Sequence, residues 1–180
     1  MPCRCRADSA TAAASRRAAT WPARNTAATP SCRATAAHLW YRPFGRWFAN
    51  ARIEAGEVFV NNRISVPDTI LFRAGGDGSV RGYDYRTLGL TRNGAVVGGQ
   101  VLLTGSVELE HPLSAKLPAL LEAAFVDAGN AADRWGDIRP VFGYGVGVHY
   151  RSPIGPLRFD VAYGEAVKDW RLHISVGITF

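Results

Sequence analysis

The chain has 180 residues, 47% of them hydrophobic, 20% charged and 11% aromatic, with a mean hydropathy of −0.05; that is apolar material for one folded unit and not two. No stretch holds the eighteen or more uninterrupted apolar residues of a membrane helix, and no apolar signal core opens the chain, so a helical membrane protein is excluded. The formal charge of +6 is uneven: residues 1–38 set six arginines against Asp8, leaving only +1 for the rest, so the body gives no electrostatic case for nucleic acid.

Residues 1–38 are Ala, Arg, Thr, Ser and Pro with no hydrophobic period, a composition that cannot bury enough apolar surface to offset chain entropy. They are expected to be a disordered tail, and the abrupt change of character near Leu39 suggests a mis-translated gene start. A basic arm for nucleic acid or anionic lipid is the functional alternative. Cys3, Cys5 and Cys32 all lie in this stretch, in neither a zinc spacing nor an even disulfide set.

From Phe44 onward the period is two, the mark of strands with one apolar and one polar face. Ala49, Ala51, Ile53 and Ala55 alternate with Asn50, Arg52 and Glu54, and Val101, Leu103, Val107 and Leu109 alternate with Thr104, Ser106, Glu108 and Glu110. Lys116 to Val126 fits a helix or a strand; hairpin-length connections on both sides favour a strand over Leu120 to Val126. Tyr144, Val146, Val148 and Tyr150 then alternate with Gly143, Gly145, Gly147 and His149. Leu157, Phe159, Val161 and Tyr163 follow the turn at Ser152–Gly155. The last run sets Leu172, Ile174, Val176, Ile178 and Phe180 against Arg171, His173, Ser175, Gly177 and Thr179. The pattern predicts about six antiparallel strands over residues 39–180. Polar faces rich in Glu, Arg, Asp and Gly, with apolar faces ending in aromatics, fit a transmembrane barrel; alternation alone leaves a soluble sandwich open.

The segment Leu71–Tyr83, LFRAGGDGSVRGY, resembles the loop-six signature of outer-membrane assembly and translocation barrels, the bacterial surface antigen family of BamA and TamA type. AGGDGSVRGYDYRTLG is closest in wording to the TamA, autotransporter-assembly branch. Phe125-Val126-Asp127-Ala128-Gly129-Asn130, Gly145-Val146-Gly147, Ser152-Pro153-Ile154-Gly155-Pro156, Arg158-Phe159-Asp160 and a terminal Phe180 follow in the family's order. The resemblance covers about residues 44–180. It implies an all-β fold, the C-terminal part of a sixteen-stranded outer-membrane barrel, in a bacterial outer membrane. It also implies POTRA domains ahead of the barrel, for which this chain has no room, so the product is expected to be a fragment.

The resemblance further implies that the loop motif, Gly75, Gly76, Asp77, Val80, Arg81, Gly82 and Tyr83, folds inward and that Arg81 meets wall carboxylates at Asp127 and Asp160. A guanidinium suits that role because its planar fork binds carboxylate bidentately and stays charged. The glycines do not make a phosphate loop: no G-K-[ST] follows. No G-x-S-x-G elbow is present, and His111, His149 and His173 lie on separate strands without metal spacing, so no catalytic residue, cofactor or metal is expected. Trp47, Trp135 and Trp170 read as interface anchors or loop packing.

The implied function is insertion or translocation of outer-membrane or autotransporter proteins. The implied partners are outer-membrane lipid, client proteins, an inner-membrane-anchored TamB-like protein and the barrel assembly machinery. Leu172, Ile174, Val176, Ile178 and Phe180 resemble the C-terminal signal by which that machinery recognises barrels. A passive pore and the barrel anchor of a patatin-like secreted enzyme are the alternatives.

Overall fold

The computed structural model describes residues 31–60, 67–92, 94–153 and 155–177. Nine strands run along the described residues: β1 Ser31–Phe44, β2 Trp47–Val60, β3 Leu90–Arg92, β4 Ala95–Val97, β5 Val101–Ser114, β6 Leu117–Ala132, β7 Val141–Ser152, β8 Gly155–Gly164 and β9 Asp169–Val176. Seven of them form one antiparallel sheet in the order β1-β2-β5-β6-β7-β8-β9, and β3 and β4 make a separate small hairpin. Within the described residues, β1 and β9 are the sheet's two edges, and the wall does not close on itself.

Connections differ at the two ends of the sheet. Two-residue turns at Gly45-Arg46 and Ala115-Lys116 and the tight Ser152–Gly155 turn lie at one end. The other end carries the long connection between β2 and β5, described from residue 67, residues 133–140 with a 3-10 turn at Trp135–Asp137, and residues 165–168. Short turns on one side and longer loops on the other are the layout of an outer-membrane barrel wall.

The two faces are inverted relative to a soluble protein. On the face covered by the 67–100 loop, Asp127 and His149 are each 1% exposed, Glu110 3% and Glu108 4%. On the opposite face Val146 is 62% exposed, Leu172 64% and Val176 63%. Carboxylates packed inside and a valine–leucine face outside suit a wall whose outer solvent is hydrocarbon, because only a fully paired strand ladder satisfies its backbone there. Aromatics fringe the outer face: Tyr144, Tyr163 and Trp170, on three successive strands, pack with tilted rings at 5.5 and 5.2 Å between centroids near the long-loop end. Trp47 packs on His111 at 4.6 Å near the short-turn end.

Two expectations change. Residues 31–38, placed in the disordered tail, are the first half of β1, paired in unbroken register with β2 from Ser31↔Val60 to Phe44↔Trp47. The main sheet therefore has seven strands rather than six. The stretch carries no large alternating side chains, its outward positions being Cys32, Ala34, Ala36 and His38; its order comes from the ladder with β2 and from the Arg33 guanidinium, 4.1 Å over the Phe72 ring. The rest of the tail lies outside the described residues. The ambiguous KLPALLEAAFV stretch is a strand that extends beyond Val126 to Ala132.

Candidate functional site

The loop crosses the inner face and carries a buried apolar cluster with it. Phe72, Ala74, Val80, Tyr83 and Leu88 pack against Val58 of β2, Leu102 of β5 and Ala131 of β6. Full burial of side chains such as Phe72 and Val80 is worth about 1.5–3 kcal/mol each. Paired bridges between Phe72 and Gly99 and between Ala74 and Leu88 close the loop on itself, and the Val80 carbonyl accepts from the Gly76 amide at 3.1 Å. Gly75, Gly76 and Gly82 have φ of 106°, 99° and 92°, backbone that favours glycine at each position.

This folding delivers Arg81 to the wall. Its Nε and Nη2 donate to Asp127 Oδ2 and Oδ1 at 2.7 and 3.0 Å, a bidentate pair, and its backbone N–H donates to the same carboxylate at 3.0 Å. Nη1 donates to Glu108 at 2.7 Å and to Asp160 at 3.0 Å. The guanidinium carbon lies 3.3 Å from the Phe125 ring centroid, and the Ser106 hydroxyl donates to Asp127 Oδ1 at 2.6 Å. Burial alone would lower the Arg81 pKa; the hydrogen bonds and charges of Asp127 and Glu108 outweigh it and push the value above its ordinary range. A side chain from one loop thus binds carboxylates on three strands, β5, β6 and β8.

The neighbouring residues fit the same purpose. Tyr83 is 1% exposed; its hydroxyl donates to the Phe142 carbonyl at 2.9 Å and accepts from the Ala166 amide at 3.0 Å. The Gly82 amide donates to His173 Nε2 at 3.0 Å. The glycines of β7 make room: a Cβ on Gly143 would strike the Arg81 carbonyl, and one on Gly147 the Asp160 carboxylate. Asp77 stays exposed on the loop and contributes nothing to the Arg81 contacts.

A second cluster adjoins the first. His149 Nδ1 lies 2.7 Å from Glu110 and Nε2 lies 2.9 Å from Asp160, while Arg151 donates to the other Glu110 oxygen at 2.6 Å. Glu108, Glu110 and His149 bring potential ligand atoms within 4.8 Å of one another. Both imidazole nitrogens face carboxylates, however, and both acids are engaged by cationic or imidazole partners, so these groups are satisfied by each other rather than arranged around an ion.

Of the residues singled out in the sequence, Arg81, Asp127 and Asp160 come together. Leu172, Ile174 and Val176 line the outer face of β9; Ile178 and Phe180 lie outside the described residues. Trp135 donates to Glu57 at 3.1 Å, and Trp47 and Trp170 join the outer aromatics. Glu108, Ser106, Phe125 and the Glu110–His149 pair were not marked as site residues. Their signal was their place on the polar face, but strand register was needed to bring them to Arg81: Ser106 faces Asp127 and Glu108 faces Phe125 across β5 and β6.

The Omp85 superfamily domain matches residues 26–180 of this chain. The chain belongs to that superfamily. The Omp85 chain is 33% identical to the chloroplastic outer envelope protein 80 of Arabidopsis thaliana over 115 residues, 59% of this chain and 14% of the plant protein. Its fold is shared with BamA from Haemophilus ducreyi lacking POTRA domains 1–3, with a TM-score of 0.65 and 24% identity over 81% of this chain and 34% of that one. The chain thus spans a small part of each relative's length. The family match starts at residue 26, upstream of the 38/39 boundary expected from composition, in agreement with β1 beginning at Ser31.

Proposed function

We propose that this chain is the C-terminal wall of an outer-membrane protein insertion or translocation barrel, TamA-like in its loop wording, with a bacterial outer membrane as its setting. The observation that carries the proposal is the loop locked to three wall strands through Arg81. Two further features support it. The inverted faces suit a lipid-surrounded wall, and the loop also buries an apolar cluster against β2, β5 and β6. The mechanism needs no cofactor and no catalytic residue: the loop braces the wall while client strands pair at an edge. Client outer-membrane or autotransporter proteins, membrane lipid, a TamB-like partner and the barrel assembly machinery follow from that reading, as does the role of the β9 residues Leu172, Ile174 and Val176, with Ile178 and Phe180, as the C-terminal recognition signal.

A passive pore fits less well, since it has no need of a loop whose Val80, Arg81 and Tyr83 are buried against the wall. The test is client assembly by the full-length protein carrying Arg81→Ala. Assembly should fall several-fold while the barrel remains inserted in the membrane. Undiminished assembly, or an equal loss of insertion, would overturn the reading.

A further inference from the structure

The inner face holds more ionic structure than a brace for one arginine requires. Four buried carboxylates, Glu108, Glu110, Asp127 and Asp160, meet the guanidinium groups of Arg81 and Arg151, with Arg158 4.0 Å from Glu108. Three guanidinium charges leave one carboxylate unmatched, and the remaining basic group in contact is His149. Its side chain is 2% exposed, with one ring nitrogen on Glu110 and the other on Asp160. An ionised carboxylate is an acceptor only, whereas a neutral imidazole carries one N–H and one lone pair, so a neutral ring would aim its lone pair at an acid. Only the imidazolium donates at both nitrogens, and it also completes the charge match of four to four.

We infer that His149 is the proton-dependent half of the loop lock: as an imidazolium it bridges Glu110 to Asp160 and holds the Asp160 carboxylate under Arg81. This rests on the proposed reading that Arg81 braces the loop. The groups facing His149 are known on every side. From β5 come Glu110 and, at 4.0 Å, Glu108; β8 gives Asp160 and, directly across from His149 in register, the half-exposed Arg158, whose guanidinium lies 4.0 Å from Glu108. The loop's Arg81 shares Asp160, Arg151 of β7 holds Glu110, His173 of β9 lies across from Asp160 in register, and β6 offers the apolar Leu121. Loss of the ring proton leaves two acids facing a ring with one N–H, so one of them is repelled, and Asp160 is the one shared with the loop. The protonated form is the holding form. The lock is therefore complete on the acidic side of the His149 titration and is released as pH rises through it. His149 is a positioning residue acting through Asp160.

The test is amide hydrogen exchange of residues 79–83 in the full-length protein folded into phospholipid vesicles, corrected for the intrinsic pH dependence of exchange, from about pH 6 to about pH 10. Protection should fall about tenfold or more across the range in the wild type; in His149→Gln it should be low and flat, as expected when a charge-assisted bond is lost. A second measurement does not need the variant to fold: the ring nitrogens of His149 should both carry protons at neutral pH by nitrogen-15 chemical shift. One unprotonated ring nitrogen, a flat wild-type profile, or an unchanged pH response in His149→Gln would overturn the inference. Arg81→Ala separates the two readings: if it leaves residues 79–83 protected, the brace itself fails. If it exposes them while His149 has no pH effect, only the proton dependence fails.

Discussion

Arg81 is buried with its backbone amide, Nε and both terminal nitrogens committed to acids on the wall, and burial makes that commitment costly to break. Removing one partner of a buried pair costs about 3–5 kcal/mol, because the other charge stays behind unpaired. The space for this arrangement is as specific as the charges. Gly143 passes directly beneath the Arg81 carbonyl, a backbone atom that cannot swing aside as a side chain would. Gly143→Ala should therefore lift the loop at a cost of about 1–3 kcal/mol, the range for overpacking, while the β6–β7–β8 ladder stays formed. Exchange protection of Arg81 and Gly82 should drop with no change in the strand amides of β7; unaltered loop protection would mean that the loop does not lie on Gly143. Arg81 was named from its motif because a guanidinium in an RGY loop has a recognisable role. His149 shows in the sequence only as a histidine without metal spacing, because nothing in its own neighbourhood reveals that Glu110, 39 positions earlier, sits against it.

At the scale of elements, legibility followed the size of the side chains. β7, β8 and β9 alternate aromatic and branched residues with polar ones, and each was plain in the sequence. The first half of β1 was not, because alanines at successive outward positions carry no amplitude at period two; its order is supplied by pairing with β2. The long loop was visible through its glycines, but its internal bridges and its packing on Val58, Leu102 and Ala131 depend on contacts between strands far apart in the chain. The last strand carries a prediction of its own. If its outward residues and Phe180 form the proposed recognition signal, deleting Phe180 from the full-length protein should slow insertion and leave protease-sensitive precursor. Insertion at the normal rate, with only the finished barrel less stable, would reduce Phe180 to a membrane-interface residue.

For the whole molecule, the ordering of faces decides the solvent. A soluble sandwich would bury Val146 and Leu172 and expose Glu108 and Asp127; this sheet does the reverse. The loop lies on the inner face, joined to the wall by an apolar cluster and an ionic one. The central claim is that the ionic contact between Arg81 and Asp127 holds this loop. The most direct measurement is a double-mutant cycle of Arg81→Ala and Asp127→Asn, read as exchange protection of Gly82 and Tyr83. The account predicts strong non-additivity: the double variant is no worse than the more damaging single one, with a coupling of about 1–3 kcal/mol. Losses that simply add would show that the two residues do not act on the loop together, and would contradict it.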